Sequence, residues 1–98
     1  MDIDWGDYPF CTSSTCTVGA AVANGVPPNK IRNVWGITKV YETYVGAKKF
    51  EPEDQIFSHI RELGGEYGAT TGRPRQCNWI NTSLLRKAAR INGVNNIV

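Results

Sequence analysis

The sequence predicts part of an α/β domain, in which a mixed sheet is flanked by helices. The first observation is a segment rich in β-branched and aromatic residues, 34–45, which is typical of a strand. The second is the helical spacing of apolar residues in 53–63 and 82–92. The third is the glycine and proline in the connections between these segments. A chain of 98 residues has room for one hydrophobic core.

The first thirty residues predict short elements. Ile3 is expected to end a strand, and the hydroxyl residues of 12–17 are expected to cap the helix that follows. Small residues over 18–23 predict that helix, which Gly25 ends. Residues 28–30 are expected to add one further turn.

The middle of the chain predicts a strand and then an amphipathic helix. Residues 34–45 are expected to form one continuous strand. The helix over 53–63 ends at Gly64, and its apolar face comprises Ile56, Phe57, Ile60 and Leu63.

The last third predicts an irregular loop, a second helix and the start of a strand. Residues 65–78 show no periodicity, and long polar loops in small domains are usually functional. The helix over 82–92 is expected to turn four residues inward, namely Ile80, Leu84, Ala88 and Ile91. A strand that begins near Asn96 stops at Val98, whereas independent domains normally end in polar residues. We therefore expect an internal piece of a longer protein.

Charge and composition exclude several classes of protein. Eleven Lys and Arg against nine Asp and Glu give a formal net charge of +2, which argues against a dedicated nucleic-acid binder. The sequence has neither a run of about 18 apolar residues nor a signal peptide, so we expect a cytoplasmic protein with no membrane partner. With 41% apolar residues the chain is expected to fold.

Metal and nucleophile chemistry finds little support. The cysteines Cys11, Cys16 and Cys77 lack paired spacing, and a four-ligand zinc site would need all three together with His59. Free thiols and no metal are the expectation. His59 has no accompanying nucleophile motif, so no catalytic residue is assigned.

Two segments have groups that suit an anion. The hydroxyl run 12–15 at a helix start could bind a phosphate or could simply cap the helix. In the loop 65–75, Arg73 and Arg75 would project to the same side of an extended backbone and could grip a carboxylate or phosphate, with Thr70 and Thr71 beside them. A basic surface loop without a ligand remains the alternative.

Three motifs, in order along the chain, resemble stretches of the adenylosuccinate synthetase family. The family's DIDxGTYPxVTSSN stretch is similar to this chain at Asp2, Ile3, Asp4, Gly6, Tyr8, Pro9, Phe10, Thr12, Ser13 and Ser14. Its GxxKAYxTRVG strand is similar at Gly36, Ile37, Lys39, Tyr41, Thr43, Val45 and Gly46. Its E-F/Y-G-x-TTGR-x-R loop is similar at residues 66–73, Arg75 and Trp79.

The resemblance implies a P-loop-containing nucleotide hydrolase-like fold and a C–N ligase of purine biosynthesis. Such an enzyme joins L-aspartate to position 6 of inosine monophosphate (IMP), with GTP and magnesium as cofactors of the complete enzyme. The aspartate amino group displaces a phosphate that GTP has placed on the purine 6-oxygen. The complete enzyme is expected to be a cytoplasmic homodimer, and this chain alone is expected to bind no cofactor.

The resemblance also implies roles for single residues. Thr12 would contact the 5′-phosphate of the nucleotide, and Val45 would contact its ribose through the backbone. Arg73 would hold the aspartate carboxylate and the ribose, assisted by Arg75. The complete aspartate loop would comprise Thr70, Thr71, Gly72, Arg73 and Arg75.

Some parts of the family pattern have no counterpart in this sequence. These are the glycine-rich phosphate loop, the catalytic aspartate and histidine, and the guanine-reading KxDVLD motif. Residues 1–98 are therefore expected to form a central substrate-binding segment that is inactive alone. Departures such as Tyr44, where the family usually has arginine, leave the nucleotide open between IMP and the deoxyguanylate that a viral branch converts to 2-aminoadenylosuccinate.

Two other classes of function stay open at this stage. Residues 65–68 could act as a GxxG nucleic-acid loop beside Arg73 and Arg75, although Glu66 would repel phosphate there. Alternatively, the segment could be a non-catalytic assembly module that has kept only the fold.

Overall fold

The computed structural model describes residues 5–11 and 17–98, which divide into two compact units. The first unit combines the chain up to Thr38 with residues 82–98, and the second is Lys39–Asn81. Eight elements follow in chain order: α1 (Gly19–Ala23), a one-turn 3₁₀ helix (Pro28–Lys30), β1 (Trp35–Gly36), β2 (Tyr41–Tyr44), α2 (Gln55–Leu63), β3 (Gln76–Trp79), α3 (Thr82–Asn92) and β4 (Asn96–Ile97). Helices and both kinds of strand pairing occur, in agreement with the α/β prediction.

The first unit is built on a parallel pair of short strands. Trp35 of β1 lies opposite Asn96 of β4, and Gly36 lies opposite Ile97. Just beyond β1, the Thr38 amide donates to the Val98 carbonyl over 2.9 Å. The side chain of Asn92, the last residue of α3, accepts a hydrogen bond from the Val18 amide over 2.9 Å and so ties α3 to the start of α1.

The second unit consists of an antiparallel strand pair with α2 packed on β3. Asp54 caps α2, because its carboxylate accepts from the Ile56 amide over 3.0 Å. Phe57 of α2 and Cys77 of β3 are fully buried, and the Phe57 ring meets the Trp79 ring edge-on at 5.1 Å between centroids. This small apolar core fixes the helix on the strand pair.

The single strand predicted over 34–45 is wrong. It divides into β1, which pairs with β4, and β2, which pairs with β3 in the other unit. Between the two strands the chain passes from one unit to the next, and Ile37 and Val40 are 87% and 85% exposed. Strand propensity indicates only that a residue fits a pleated sheet, and it does not indicate which strand it will pair with. The sequence therefore could not show that this segment divides between two sheets.

Part of the irregular loop predicted over 65–78 is also a strand, since β3 begins at Gln76. Polar residues without periodicity led to the prediction of a loop here. Gln76 and Asn78, however, use their side-chain amides to hold the segment 46–51, which is described with the site below.

The helix predictions are confirmed, but the predicted burial is wrong in part. The helix over 82–92 has the expected bounds, that over 53–63 begins at Gln55, and the helix over 18–23 and the turn at 28–30 are present. Leu63 and Leu84 are 77% and 45% exposed, because these small units cover only part of each apolar helix face. The strand predicted near Ile3 and most of the proposed hydroxyl cap lie outside the described residues; Val18 occupies the N-cap position of α1 without a side-chain hydrogen bond. No helix in the described ranges is long and apolar enough to span a bilayer.

Candidate functional site

Residues 67–74 form a loop, here called loop 67–74, that is closed by its own backbone. Tyr67 and Pro74 form an antiparallel bridge at its base. The Gly68 amide donates to the Arg73 carbonyl over 2.8 Å, and the Gly72 amide donates to the Gly68 carbonyl over 2.8 Å. The loop is therefore closed by hydrogen bonds within its own backbone.

Two glycines favour this closure, one through its backbone conformation and the other through the close approach of a neighbouring side chain. Gly72 has a φ of 63°, in the left-handed region that residues with a Cβ rarely adopt. A Cβ on Gly68 would come within 3.1 Å of the Thr71 hydroxyl oxygen. The glycines of the motif thus allow the loop to fold tightly.

The tip of loop 67–74 presents polar groups to solvent. Thr70, Thr71 and Arg73 are exposed, and the Thr71 hydroxyl accepts from the Arg73 amide over 3.3 Å. Within the part of the chain that the structure describes, the Arg73 guanidinium forms no ion pair. An exposed guanidinium can hold a carboxylate or a phosphate through bidentate hydrogen bonds, and the two threonines place further hydroxyl groups on the same loop.

At the base of the loop lies a buried carboxylate, Glu66, which is 4% exposed. One oxygen, Oε1, accepts from Lys39 Nζ and from Tyr41 Oη, each over 2.8 Å. The other oxygen, Oε2, accepts from Arg75 Nη1 over 2.8 Å. We call these four residues the Glu66 cluster.

The Glu66 cluster keeps its carboxylate ionised. The hydrogen bond from Lys39, followed by those from Tyr41 and Arg75, lowers the pKa of Glu66 to about 2, although burial acts in the opposite direction. The same bond to Glu66 raises the pKa of Tyr41, so this phenol stays protonated and serves as a donor. Charge and hydrogen bonding are therefore matched around a group that would be costly to bury alone.

A second ionic contact supports Arg75 from its other side. Arg61 of α2 pairs with the Glu51 carboxylate and donates through Nε to the Arg75 carbonyl over 2.7 Å. Glu51 also accepts from the Cys77 amide over 2.7 Å, and the Arg61 hydrogen bond followed by this amide lowers the pKa of Glu51. Both the side chain and the carbonyl of Arg75 are thus fixed.

Val45 lies at the same end of the strand pair as Arg75. It follows Tyr44, which lies opposite Gln76 in the register of β2 and β3. The Gln76 side chain then holds the segment after Val45, since Nε2 donates to the Lys48 carbonyl over 2.8 Å and Oε1 accepts from the Phe50 amide over 2.8 Å. The antiparallel pairing therefore brings the ends of two separate motifs together.

The structure places most of the predicted site residues in the second unit. Val45, Arg75 and loop 67–74 share one end of the strand pair, whereas Thr12 lies outside the described residues. His59 is exposed on α2. Sequence reasoning gave no role to Glu66, Lys39 or Gln76. Lys39 and Glu66 both lie at positions that match the family motifs described above, and this match is the sequence signal that could have identified them.

The fold and loop 67–74 define a class: this chain is part of a mixed α/β protein with an ordered, exposed loop suited to an anionic ligand. Comparison with known proteins gives the family. A family model described as adenylosuccinate synthetase matches residues 1–98. The chain belongs to the adenylosuccinate synthetase family.

Individual relatives agree with this assignment. The adenylosuccinate synthetase of Trichlorobacter lovleyi is 50% identical over 100 residues, covering 99% of this chain and 23% of that protein. That of Thermodesulfovibrio yellowstonii is 52% identical over 96 residues, covering 95% of this chain and 23% of that protein. The solved structure of fully ligated adenylosuccinate synthetase from Plasmodium falciparum superposes with a TM-score of 0.89 at 40% identity, over 98% of this chain and 23% of that one. The chain thus spans about a quarter of the length of these relatives, and the predicted fold family is confirmed.

Proposed function

We propose that residues 1–98 are the central substrate-binding segment of a synthetase that joins L-aspartate to position 6 of IMP. The observation that carries this proposal is the exposed guanidinium of Arg73 on an ordered loop with Thr70 and Thr71. Aspartate is a dicarboxylate, and such a loop offers both a cation and hydroxyl donors to it. The names of the relatives support the same reaction and favour IMP over deoxyguanylate.

In this proposal each residue binds or orients a substrate. Arg73 holds a carboxylate of aspartate, assisted by Arg75, and also reaches the ribose. Thr70, Thr71 and Gly72 complete the aspartate loop, and the Val45 backbone contacts the ribose. Thr12 would contact the 5′-phosphate. The aspartate amino nitrogen forms the new bond to C6 of the purine, and the 6-oxygen leaves as phosphate. Fixing two substrates in one orientation lowers the entropic part of the barrier to that bond.

GTP would supply the phosphoryl group that turns the purine 6-oxygen into a leaving group and would become GDP, and magnesium would neutralise the phosphate charge in that transfer. Loop 67–74 offers a cation and hydroxyls, which suit a carboxylate and not a metal ion. We assign GTP, magnesium and the catalytic acid and base to the parts of the synthetase outside this segment, and we propose a cytoplasmic homodimer for the whole.

The proposal is tested by placing the segment in a complete enzyme. The corresponding quarter of the Trichlorobacter lovleyi synthetase is replaced by residues 1–98, and product formation from IMP, aspartate and GTP is followed by absorbance and mass spectrometry. We expect adenylosuccinate from IMP and no product from deoxyguanylate. A folded chimaera that makes no adenylosuccinate would contradict the proposal, and turnover of deoxyguanylate alone would reassign the nucleotide.

Arg73→Ala in this chimaera tests the site itself. Because a charge-assisted hydrogen-bonded pair contributes about 1.5–3 kcal/mol, the KM for aspartate should rise by roughly 10- to 100-fold. The matched control is Arg32→Ala, which removes an exposed arginine of the first unit. An equal effect of the two substitutions on KM would exclude Arg73 as the aspartate ligand.

A further inference from the structure

Three members of the Glu66 cluster, namely Glu66, Lys39 and Tyr41, have no role in the proposed function, whereas the fourth, Arg75, belongs to the aspartate loop. Acidic side chains are almost never this deeply buried unless they are paired, and Glu66 is 4% exposed. A buried ion pair commonly adds no more stability than an apolar pair of the same shape. A buried carboxylate that accepts from three donors is therefore better explained by a requirement to hold those donors in fixed positions than by stability alone.

Glu66 and Arg75 flank loop 67–74 and are joined twice. The Arg75 amide donates to the Glu66 carbonyl over 2.9 Å, and the Arg75 guanidinium donates through Nη1 to the Glu66 carboxylate over 2.8 Å. One bond joins the two backbones and the other joins the two side chains. Together they set the separation of the loop ends and the orientation of Arg75.

Arg73 and Arg75 therefore differ in how firmly their guanidinium groups are held. Nη1 of Arg75 is engaged by a buried carboxylate, so the guanidinium is held in one orientation before any ligand arrives. The Arg73 guanidinium is exposed, and it forms no ion pair with any residue in 5–11 or 17–98. An arginine fixed in advance loses less conformational freedom on binding than an unrestrained one does.

We propose that Glu66 is a positioning residue for the aspartate loop: its carboxylate fixes Arg75 and the base of loop 67–74 in the arrangement that receives the acid. This inference rests on the proposed function. Lys39 and Tyr41 hold the second carboxylate oxygen and keep Glu66 from rotating away from Arg75. Removal of the charge at Glu66 should weaken aspartate binding without changing the chemical step.

The first test measures the order of the loop in the 98-residue chain. Backbone hydrogen exchange is followed by NMR for the wild-type chain, Glu66→Gln and the control Glu53→Gln, which removes an exposed carboxylate paired with exposed Lys49. We expect Glu66→Gln to speed exchange at Gly68 and Gly72 at least tenfold relative to the amides of α3, and Glu53→Gln to leave it unchanged. Loop amides that exchange as in the wild type, or a uniform increase over all amides, would overturn the proposal.

The second test separates binding from chemistry in the chimaeric synthetase. Glu66→Gln should raise the KM for aspartate about tenfold or more while kcat and the KM for IMP stay within about twofold, and Glu66→Asp, which keeps the charge, should recover part of the loss. Adding Glu66→Gln to Arg75→Gln should cause no further rise. A parallel loss in kcat and in both KM values would indicate a merely structural role and would refute the inference.

Two further measurements apply if Glu66→Gln does not fold or if the chimaera is inactive. If Glu66→Gln does not fold, Tyr41→Phe removes one donor to the same carboxylate and should shift the KM for aspartate in the same direction by a smaller factor; an unchanged KM would count against the proposal. If the unaltered chimaera makes no adenylosuccinate, the proposed function fails, while hydrogen exchange still decides whether Glu66 orders the loop.

Discussion

At the scale of the residue, Glu66 shows how far environment changes the meaning of a side chain. In the sequence it lies between Gly65 and Tyr67 and resembles an exposed acid in a polar loop. In the structure it is buried against Lys39, Tyr41 and Arg75, which come from two other places in the chain. Such contacts depend on strand register, so the motif could mark Glu66 but could not reveal its partners.

The lowered pKa of Glu66 predicts a specific dependence of stability on acid. Its pKa is about 2 in the folded chain against an ordinary value near 4.5, so its contribution is complete above about pH 4.5 and is lost as the pH falls toward 2. The lost stability is on the order of 3 kcal/mol. Urea unfolding at pH 7 and at pH 2.5 should therefore show a smaller difference for Glu66→Gln than for the wild type.

Glu53→Gln is the matched control for the acid dependence, since the side chain of Glu53 is 84% exposed. Its difference in unfolding free energy between the two pH values should equal that of the wild type. A Glu66→Gln chain that loses as much stability in acid as the wild type would show that Glu66 is not held ionised by its cluster.

At the scale of the element, helices were easier to predict than strands. The bounds of α3 follow from the spacing of apolar residues within a single segment. The division of 34–45 into β1 and β2 depends on two partners, one of which lies about sixty residues away in the chain. The exposed tip of loop 67–74 could be predicted from its motif, but the ring of bonds at its base could not.

Loop 67–74 carries a prediction of its own. Gly72→Ala places a Cβ at a φ of 63°, which should cost about 1–2 kcal/mol of stability and disturb the turn that ends in Arg73. The matched substitution is Gly19→Ala at the start of α1, where φ is not positive and alanine favours the helix. Thermal unfolding should show a lower Tm for Gly72→Ala only.

Equal midpoints for these two variants would contradict the requirement for glycine at position 72. In the chimaeric synthetase, Gly72→Ala should also raise the KM for aspartate, because Arg73 follows directly after the altered turn. Gly19→Ala should not.

At the scale of the whole molecule, the described residues bury few apolar side chains. Phe57 and Cys77 alone are fully buried in that part of the chain, while Trp35, Ile37 and Ile97 of the first unit are 62%, 87% and 53% exposed. Parallel strands are normally covered on both faces, whereas Trp35 of β1 and Ile97 of β4 are each more than half exposed to solvent. Both the α/β class and the exposure of apolar faces on a piece of a larger sheet were predictable from the sequence, whereas the particular residues exposed were not.

Exposed apolar strands predict self-association of the isolated chain. Sedimentation velocity should show an apparent mass that increases with protein concentration. Ile37→Lys should reduce this increase, because it places a charge beside β1. Val26→Lys adds the same charge at a loop position that is 40% exposed, and it should have the smaller effect. An equal effect of the two substitutions would point to net charge and not to the strand surface.

The doubly joined ends of loop 67–74 have a consequence for design. The Tyr67–Pro74 bridge and the Glu66–Arg75 contacts join the two ends of the loop through residues that lie outside its tip. The side chains at the tip can then be exchanged while the bonds at the base of the loop stay in place. If the proposed function holds, libraries restricted to Ala69, Thr70 and Arg73 would test amino acids other than aspartate, such as longer amino dicarboxylates or amino sulfonates, while the bonds at the base of the loop are kept.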